Sequence, residues 1–354
     1  MKTENLENLT TEESKKLNYL VLTKTSKFTK KNFDKSNNFT TNFYQNLELN
    51  EIKIVNTLLY IFNQYHNYLS KDKTNLGNFL KFFKEEENLF IIPFQDFLKL
   101  LKYDTNNNLT IKELENHLEN IRKGGLRYVK YNPNTKREER IGTSFITKYK
   151  IITNRDLFEQ MIEQETRILI KIDKELYTDI FEMNKIGFTT VDIDMNKLQS
   201  KMGIGLYEEL KRISNLKQIE YRPIGGGKFD RILKNEYKKN FEYTLKEINE
   251  ICNTDFKQLS HIKQKILIQY KKLVKNNFLH DVYSFETKNK KLKINIDRYN
   301  FDKSEYFLKN KESGLNFDEL SRKFEEEYLS KDKDKEVKQK EVVKKEELKK
   351  VWTI

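Results

Sequence analysis

The chain has 354 residues, of which 37% are hydrophobic and 34% are charged, and its formal net charge is +13. This length suggests about two or three domains, and the low apolar fraction leaves part of the chain to linkers or tails. The positive charge favours a polyanionic partner, although a basic protein from a lysine-rich proteome would have the same composition. Cys252 is the only cysteine, which excludes an intramolecular disulfide and a cysteine-based zinc site.

The start of the chain is polar and carries no targeting signal. It lacks the apolar core of a secretory signal, and no run in the chain approaches the ~18 apolar residues that a membrane span needs. We therefore predict a cytoplasmic protein with no membrane partner. Residues 1–46 are rich in polar side chains and are predicted to form a disordered arm.

Hydrophobic periodicity organises the next hundred residues. It predicts a helix, a short apolar run and two further helices in this order: Leu49–Leu69, Phe90–Phe94, Gln95–Lys102 and Thr110–Arg122. Gly124-Gly125 ends the last helix. We expect a hairpin to follow, in which Leu126–Tyr131 pairs with Ser144–Ile152 around a basic tip. Helices followed by a hairpin in this order indicate a winged helix.

Three stretches resemble ligand sites, and each has a simpler explanation. Asp104–Glu115 places oxygen ligands as a calcium loop does, but Leu109 stands where the loop needs glycine, so a helix-turn-helix bend is preferred. Asp192 and Asp194 could hold a metal, but capping of the following helix is preferred. Arg222–Lys228 lacks the first glycine and the hydroxyl of a phosphate-binding loop and is predicted to be a flexible loop. We predict no cofactor and no metal.

A second set of elements follows residue 153. The patterns predict a linking helix, two strands and a longer helix: Arg155–Gln164, Arg167–Asp173, Phe188–Ile193 and Met195–Ser214. Each glycine inside a helix costs about 1 kcal/mol relative to alanine. Gly203 and Gly205 therefore indicate close packing of the last helix against another backbone.

The stretch Phe241–Ile296 predicts two helices, a turn and a β-hairpin. The first helix has its apolar face at Tyr243, Leu245, Ile248 and Ile251, with Cys252 as a buried thiol. Asn253–Asp255 is the turn, since short polar side chains there bond their own backbone. The second helix has its apolar face at Ile262, Ile266, Tyr270 and Leu273. This order is again that of a winged helix-turn-helix.

The C-terminal part is highly charged. Leu315–Tyr328 predicts a short amphipathic helix through Phe317, Leu320, Phe324 and Tyr328. Lys331–Lys350 alternates lysine and glutamate, which indicates a solvated helix or a disordered tail.

Leu198–Arg212, LQSKMGIGLYEELKR, is similar to a helix with the pattern L-x-S-x-x-A-x-x-L-Y-E-L-L. This pattern is that of the iteron-binding initiator proteins of plasmid replication, the RepE/RepA type, which the sequence resembles. Phe188–Ile193, Ile168–Ile180 and Ile262–Val274 are similar to neighbouring family segments, and the resemblance covers about residues 49–296. The chain departs from the family at Gly225–Gly227, at Tyr270, where alanine is usual, and in its tail.

Together these observations predict an α+β, helix-rich fold. It consists of two tandem winged helix-turn-helix domains with a polar N-terminal arm and a charged C-terminal tail. The predicted boundaries are 1–46 for the arm, 47–153 and 154–300 for the two domains, and 301–354 for the tail, which is expected to be partly helical or disordered.

The resemblance implies a replication initiator that binds repeated origin sites, called iterons, in double-stranded DNA. It also implies recruitment of the host initiator and replicative helicase, and dimers that repress the protein's own gene. A winged-helix transcriptional regulator and a structural or partitioning protein are the alternatives. No enzymatic activity is predicted, because His66, His117, His261 and His280 stand alone and no nucleotide-binding loop is present.

The predicted DNA-binding residues lie in both domains. Those placed near base edges at the start of the second domain's recognition helix are Gln258, Ser260, His261 and Gln264. Those assigned to phosphates on that helix and its wing are Lys257, Lys263, Lys265, Lys271, Lys272, Lys288, Lys290, Lys291 and Lys293. Those of the first domain are Arg122, Lys123, Arg127, Lys136, Arg137 and Arg140. For each lysine, a solvated surface charge is the alternative interpretation.

The two domains are expected to divide the work. Glu113, Glu115 and Glu119 in the first domain's helix would repel phosphate. We therefore expect that domain to contact the DNA backbone and to contribute to dimerisation, and the second domain to carry more of the specificity.

Overall fold

A computed structural model of the chain describes residues 31–36, 47–69, 89–101, 109–132, 137–155, 161–173, 176, 188–225, 228–310, 313, 315–328 and 330. Its α-helices are α1 (Leu49–Leu69), α2 (Phe94–Leu101), α3 (Ile111–Gly124), α4 (Lys201–Ser214), α5 (Leu245–Cys252), α6 (Leu259–Lys275), α7 (Arg298–Lys309) and α8 (residues 317–328). Its first strands are β1 (Asn32–Ser36), β2 (Leu89–Pro93), β3 (Leu126–Asn132), β4 (Arg137–Thr143), β5 (Ile146–Arg155) and β6 (Met161–Ile172). The remaining strands are β7 (Phe188–Asp192), β8 (Lys217–Gly225), β9 (Lys228–Tyr237), β10 (Asn240–Tyr243), β11 (Tyr283–Lys288) and β12 (Lys291–Ile296).

The chain divides into two compact units. Described residues as far as Leu279, together with Phe285–Lys293, form the first unit, and His280–Ser284 with the described residues from Ile294 onward form the second. The mixture of helices and strands confirms that part of the predicted α+β fold. None of the helices in the described ranges has the length and apolar character needed to cross a membrane.

Two helices of the first unit lie close to their predicted bounds. α1 has the predicted bounds, and the predicted residues Ile52, Val55, Leu58, Leu59 and Phe62 are buried. Every residue from Glu51 to Gln64 is buried, however, so burial along α1 does not follow the predicted periodicity over this range. α3 begins after Thr110, whose hydroxyl accepts a hydrogen bond from the Glu113 amide at 3.2 Å. The Glu113 carboxylate in turn accepts from the Thr110 amide at 2.8 Å, which completes a capping box. Residues 104–108 of the calcium-like pattern lie outside the described residues.

Part of the predicted disordered arm is a strand. β1 pairs antiparallel with β7, more than a hundred residues further along the chain. Phe33 of β1 is 1% exposed, and its ring meets the Tyr60 ring edge to face at a centroid distance of 5.7 Å. A single phenylalanine in a polar stretch gives no periodicity, so the pattern did not reveal this strand. Residues 1–30 and 37–46 lie outside the described residues.

The predicted pairing of Leu126–Tyr131 with Ser144–Ile152 is wrong. β3 pairs instead with β4, while β5 pairs with β6. The predicted helix Arg155–Gln164 is also wrong, because β5 continues to Arg155 and β6 begins at Met161. Alternating patterns mark a strand but do not identify its partner.

These strands form two separate sheets. β3 and β4 make a two-stranded sheet, and β6 lies between β2 and β5 in a three-stranded sheet. Strand pairing therefore continues across the predicted boundary between residues 153 and 154.

The predicted helix Met195–Ser214 is interrupted. Asp192 caps a 3₁₀ helix, Ile193–Lys197, by accepting a hydrogen bond from the Asp194 amide at 2.7 Å. Ser200 then adopts an extended conformation, and its hydroxyl caps α4 by accepting from the Gly203 amide at 2.9 Å. The preference for capping over a metal site is thus explained at Asp192.

The prediction of a flexible loop over Arg222–Lys228 is wrong at its described positions, because Arg222–Gly225 belong to β8 and Lys228 begins β9. Residues 226 and 227 lie outside the described residues. β8 and β9 pair antiparallel, with Gly225 opposite Lys228, and form a two-stranded sheet. Pro223 lies within β8. A proline is tolerated there because both strands of a two-stranded sheet are edges, where one unbonded amide position faces outward.

The stretch Phe241–Ile296 has the predicted order of elements with one change. Tyr243 belongs to β10, and the first helix, α5, begins after its cap Thr244. β12 lies between β10 and β11 in a three-stranded sheet. Cys252 is free and buried, as predicted.

The second unit contains the predicted amphipathic helix. α8 buries Leu320 and Phe324, while Phe317 is exposed. The Phe324 ring packs against the rings of Tyr299 and Tyr306 on α7, each at a centroid distance of 5.6 Å. α7 spans the predicted boundary at residue 300, and residues 331–354 lie outside the described residues.

Candidate nucleic-acid interface

The turn between α5 and α6 is fixed by one amide side chain. Asn249 donates from Nδ2 to the Phe256 carbonyl at 2.8 Å and accepts at Oδ1 from the Phe256 amide at 3.0 Å. The same Oδ1 accepts from the Thr254 hydroxyl at 2.9 Å. Asn253 caps α5 in the left-handed conformation, with φ 52°. These bonds set the angle between the two helices, and the sequence patterns did not single out Asn249.

α4 packs closely against α5 at a position where α4 has a glycine. A Cβ built on Gly205 would lie 2.1 Å from the carbonyl oxygen of Ile251 at the end of α5. Only glycine permits this approach, which confirms the predicted close packing against another backbone. A Cβ on Gly203 would instead meet Ser200 Oγ at 2.9 Å and Gln269 Oε1 at 3.3 Å, both side-chain atoms.

A buried charged cluster joins α4 to β10. Arg212 donates to Glu209 through Nε at 2.7 Å and Nη2 at 2.6 Å, and the Tyr243 hydroxyl donates to the same carboxylate. Burial raises the pKa of Tyr243, so its hydroxyl stays protonated. Burial disfavours the Arg212 charge, but the bonds to Glu209 outweigh it and raise the arginine pKa. The hydrogen bonds of Arg212 and Tyr243 to Glu209 hold β10, the strand that leads into α5, against α4.

α6 has one buried face and one exposed face. The buried residues are those predicted: Ile262, Ile266, Tyr270 and Leu273. The Tyr270 ring meets the Phe285 ring of β11 at a centroid distance of 5.2 Å, which ties the helix to the hairpin. The exposed face carries the predicted contacts Ser260, His261, Gln264, Lys265, Lys271 and Lys272, and Gln258 is exposed at the N-cap without a side-chain capping bond.

Two predicted contacts of this helix are less available. Lys263 is half-buried. Lys257 forms an ion pair with Asp255 at 2.9 Å, although both side chains are exposed. An exposed pair of this kind is weak, at about 0–1 kcal/mol, so a phosphate could displace the carboxylate.

The four predicted lysines of the β11–β12 hairpin differ in whether they form an ion pair within the sheet. Asn289 and Lys290 form its turn, both at positive φ of 54° and 57°, and Lys288 and Lys290 are exposed. Lys291 and Lys293 instead pair with one carboxylate of β10, Glu242, at 3.2 and 2.7 Å. These ion pairs lower the pKa of Glu242. Local patterns could not predict this pairing, since Glu242 is distant along the chain from both lysines.

In the first predicted domain, the structure describes two of the six basic side chains. Arg122 donates to Glu119 through Nε at 2.8 Å and Nη2 at 2.6 Å, and Lys123 lies 3.2 Å from the same carboxylate. The Arg122 bonds lower the pKa of Glu119 to about 2. Both cations are thus partly neutralised by their own helix.

Three of the other four predicted residues lie in the β3–β4 hairpin. Arg127 lies in β3 and Arg137 and Arg140 lie in β4, while Lys136 lies outside the described residues. The three arginines were predicted for a hairpin of β3 with β5, so the revised pairing places them in a separate two-stranded sheet. Across the described ranges, no three or more His, Cys, Asp or Glu side chains are grouped to hold a metal ion.

Comparisons with known proteins place the chain in a family. A search of curated protein sequences found no match. A crystal structure of domain 2 and domain 3 of RctB is similar with a TM-score of 0.38 and 7% sequence identity, over 70% of this chain and 81% of that one. A family model described as "Initiator Replication protein, WH1" matches residues 32–211, more than half of the chain. The chain therefore belongs to this family of replication initiator proteins, and the resemblance noted in its sequence is confirmed.

Proposed function

We propose that this replication initiator acts on a plasmid by binding repeated origin sites in double-stranded DNA through two tandem winged helices. The observation that carries the proposal is the exposed face of α6, where amide, hydroxyl, imidazole and lysine side chains stand beside a lysine-bearing hairpin. A helix of this kind fits the major groove, and a hairpin of this kind lies along phosphates.

The tandem arrangement is supported by a repeated topology. α1, β2, α2 and α3 are followed by the β5–β6 hairpin, and α4, β10, α5 and α6 are followed by the β11–β12 hairpin. In each sheet the last strand lies in the centre: the orders are β2-β6-β5 and β10-β12-β11. On this alignment β3–β4 and β8–β9 are additional hairpins inserted at different points. The wing of the first domain is then β5–β6, not the hairpin predicted from sequence.

The two winged helices are proposed to contribute differently to DNA binding. On α3, Glu119 forms ion pairs with Arg122 and Lys123, which would weaken the contacts of these two cations with phosphate. Lys265, Lys271 and Lys272 of α6, by contrast, are exposed. We therefore assign most sequence recognition to α6, and backbone contacts and dimerisation to the first domain.

Two further steps come from the family resemblance. Origin opening would follow from DNA bending and from recruitment of the host initiator and replicative helicase. Dimers of the protein would bind the promoter of its own gene and repress it.

The test is a DNase I footprint of the purified full-length protein on the DNA that flanks its own gene. We expect protection of several direct repeats beside an AT-rich stretch, each occupied over a similar concentration range. The double variant Lys271→Ala/Lys272→Ala should lose this protection, because it removes two exposed charges from α6.

Other footprints would contradict the proposal. Protection of a lone palindrome would favour a transcriptional regulator. If the flanking DNA is bound no more tightly than random DNA, the protein does not recognise a site there. If the double variant maintains the plasmid as well as the wild type does, α6 is not needed for replication.

A further inference from the structure

One exposed residue of α6 is unlike its neighbours. Ile268 is 49% exposed and is the one apolar side chain among the exposed positions of this helix. The other exposed positions are polar or charged: Ser260, His261, Gln264, Lys265, Lys271, Lys272 and Lys275. An isolated exposed isoleucine is common on protein surfaces, so its meaning depends on what surrounds it.

The position of Ile268 on the helix is central. At about 100° per residue, it lies nearly opposite the buried stripe through Ile262, Ile266 and Leu273. Residues three and four apart are neighbours on a helix surface, which places Gln264 on one side of Ile268 and Lys271 and Lys272 on the other. The isoleucine therefore occupies the middle of the face that would meet DNA.

The chemistry of this face restricts its partner. An apolar protein surface would have to desolvate several lysines around one isoleucine, which is unfavourable. A duplex matches the lysines with phosphates, and its major groove offers one apolar group, the C5-methyl of thymine. A duplex with a thymine in its major groove thus offers both phosphates for the lysines and an apolar group for the isoleucine.

We propose that Ile268 contacts the C5-methyl group of a thymine in the major groove and contributes to selection of the site. The inference rests on the proposed binding of duplex DNA by α6. It adds a specificity residue that carries no hydrogen-bonding group, between the amide of Gln264 and the phosphate contacts of Lys271 and Lys272.

The experiment removes the methyl group from the DNA. In duplexes of the footprinted site, each thymine is replaced in turn by deoxyuridine, which keeps the base pair and lacks the C5-methyl. For the full-length protein, we expect one or two replacements to weaken binding by about fourfold, the effect of withdrawing one methyl group from an apolar contact. The variant Ile268→Ala should bind thymine and deoxyuridine equally at those positions.

Two variants serve as controls. Gln264→Ala should bind the site more weakly and keep the deoxyuridine effect, because it removes a different contact. Leu308→Ala truncates an apolar side chain that is 57% exposed on α7 and should leave the deoxyuridine profile of the wild type unchanged. Circular dichroism would verify that each variant is folded.

The outcomes separate the inference from the proposed function. If the wild type protects no site, both fail. If it protects a site but every deoxyuridine duplex binds like the parent, or Ile268→Ala keeps the wild-type profile, only the inference fails. A change in sedimentation of Ile268→Ala without DNA would also overturn it, since the isoleucine would then lie in a protein contact.

Discussion

At the scale of single residues, small side chains and capping groups position the candidate interface. Gly205 lets α4 approach the end of α5, and Asn249 closes the turn into α6. Neither residue touches DNA in the proposed mode, yet both set the direction in which α6 points. Changes at these positions should therefore affect stability before they affect recognition.

Gly205→Ala should destabilise the protein. The new Cβ would meet a backbone carbonyl, which cannot rotate away, and overpacking of this kind costs about 1–3 kcal/mol. The Cβ would lie only 2.1 Å from a backbone oxygen, so we expect a cost in the upper part of this range, about 2–3 kcal/mol. Alanine regains about 1 kcal/mol of helix propensity, which leaves an expected net loss of about 1–2 kcal/mol in the free energy of unfolding by urea.

Gly203→Ala is the matched control. Its Cβ would meet two side-chain atoms, Ser200 Oγ and Gln269 Oε1. Displacement of the Ser200 cap would cost about 1 kcal/mol and alanine regains about 1 kcal/mol of helix propensity, so a change within about 1 kcal/mol is expected. If Gly205→Ala is as stable as the wild type, the close approach of α4 to α5 does not exist.

Gln264 and Lys271 should differ in what they contribute to binding. Gln264→Ala should cost about 1–3 kcal/mol on the specific site and little on random DNA, because an amide contact to a base edge is sequence-dependent. Lys271→Ala should weaken both complexes alike and reduce the salt slope by about 1.

Fluorescence anisotropy with the two duplexes at several salt concentrations measures both effects. Lys309→Ala, an exposed lysine of α7, is the control for loss of one charge. Equal losses of Gln264→Ala on specific and random DNA would show that Gln264 does not contact bases.

At the scale of elements, the β11–β12 hairpin is partly restrained by its own sheet. Glu242 on β10 pairs with Lys291 and Lys293, whereas Lys288 and Lys290 remain exposed near the turn. The hairpin therefore has two exposed charges at its tip and two that are paired with a carboxylate. In the proposed DNA complex Lys291 and Lys293 would exchange this carboxylate for phosphate, so we expect Glu242 to limit the affinity of the hairpin for DNA.

Glu242→Gln should tighten binding to random DNA by about two- to fivefold, because Lys291 and Lys293 would no longer have to leave a carboxylate in order to bind phosphate. The preference for the specific site should not change, because phosphates carry no sequence information. Affinities at low salt would measure the gain.

Glu250→Gln provides the comparison. It removes the same charge from α5, where Glu250 lies 3.9 Å from a single lysine, Lys246. If both variants gain equally, the effect is one of net charge and not of the two hairpin lysines.

At the scale of the whole molecule, the repeated topology predicts that both halves of the first unit engage DNA. With about 8 phosphate contacts in all, the logarithm of the binding constant should fall with the logarithm of salt concentration at a slope of roughly −7. A slope shallower than about −3 would contradict engagement of two domains.

Paired variants locate these contacts within the full-length chain. Lys288→Ala/Lys290→Ala and Arg137→Ala/Arg140→Ala should each reduce the slope by about 2, one for each proposed pair of phosphate contacts. A slope that changes only with the first pair would remove β4 from the interface.

Local patterns in the sequence were sufficient for several elements. The bounds of α1 and the order of helix, turn, helix and hairpin after residue 240 depend on residues within a few positions of one another. The same local spacing predicted the buried and exposed faces of α6. The family resemblance also came from sequence alone, through the helix that includes Gly203 and Gly205.

Only the tertiary structure shows which residues that are distant in sequence are in contact. The pairing of β1 with β7, the partner of β3 and the place of β6 in its sheet could not be predicted, because alternation marks a strand without naming its neighbour. Glu242 meets Lys291 and Lys293 across about fifty residues of chain. Sequence therefore determined the elements and their polar faces, whereas the fold decided which charges on those faces are already paired.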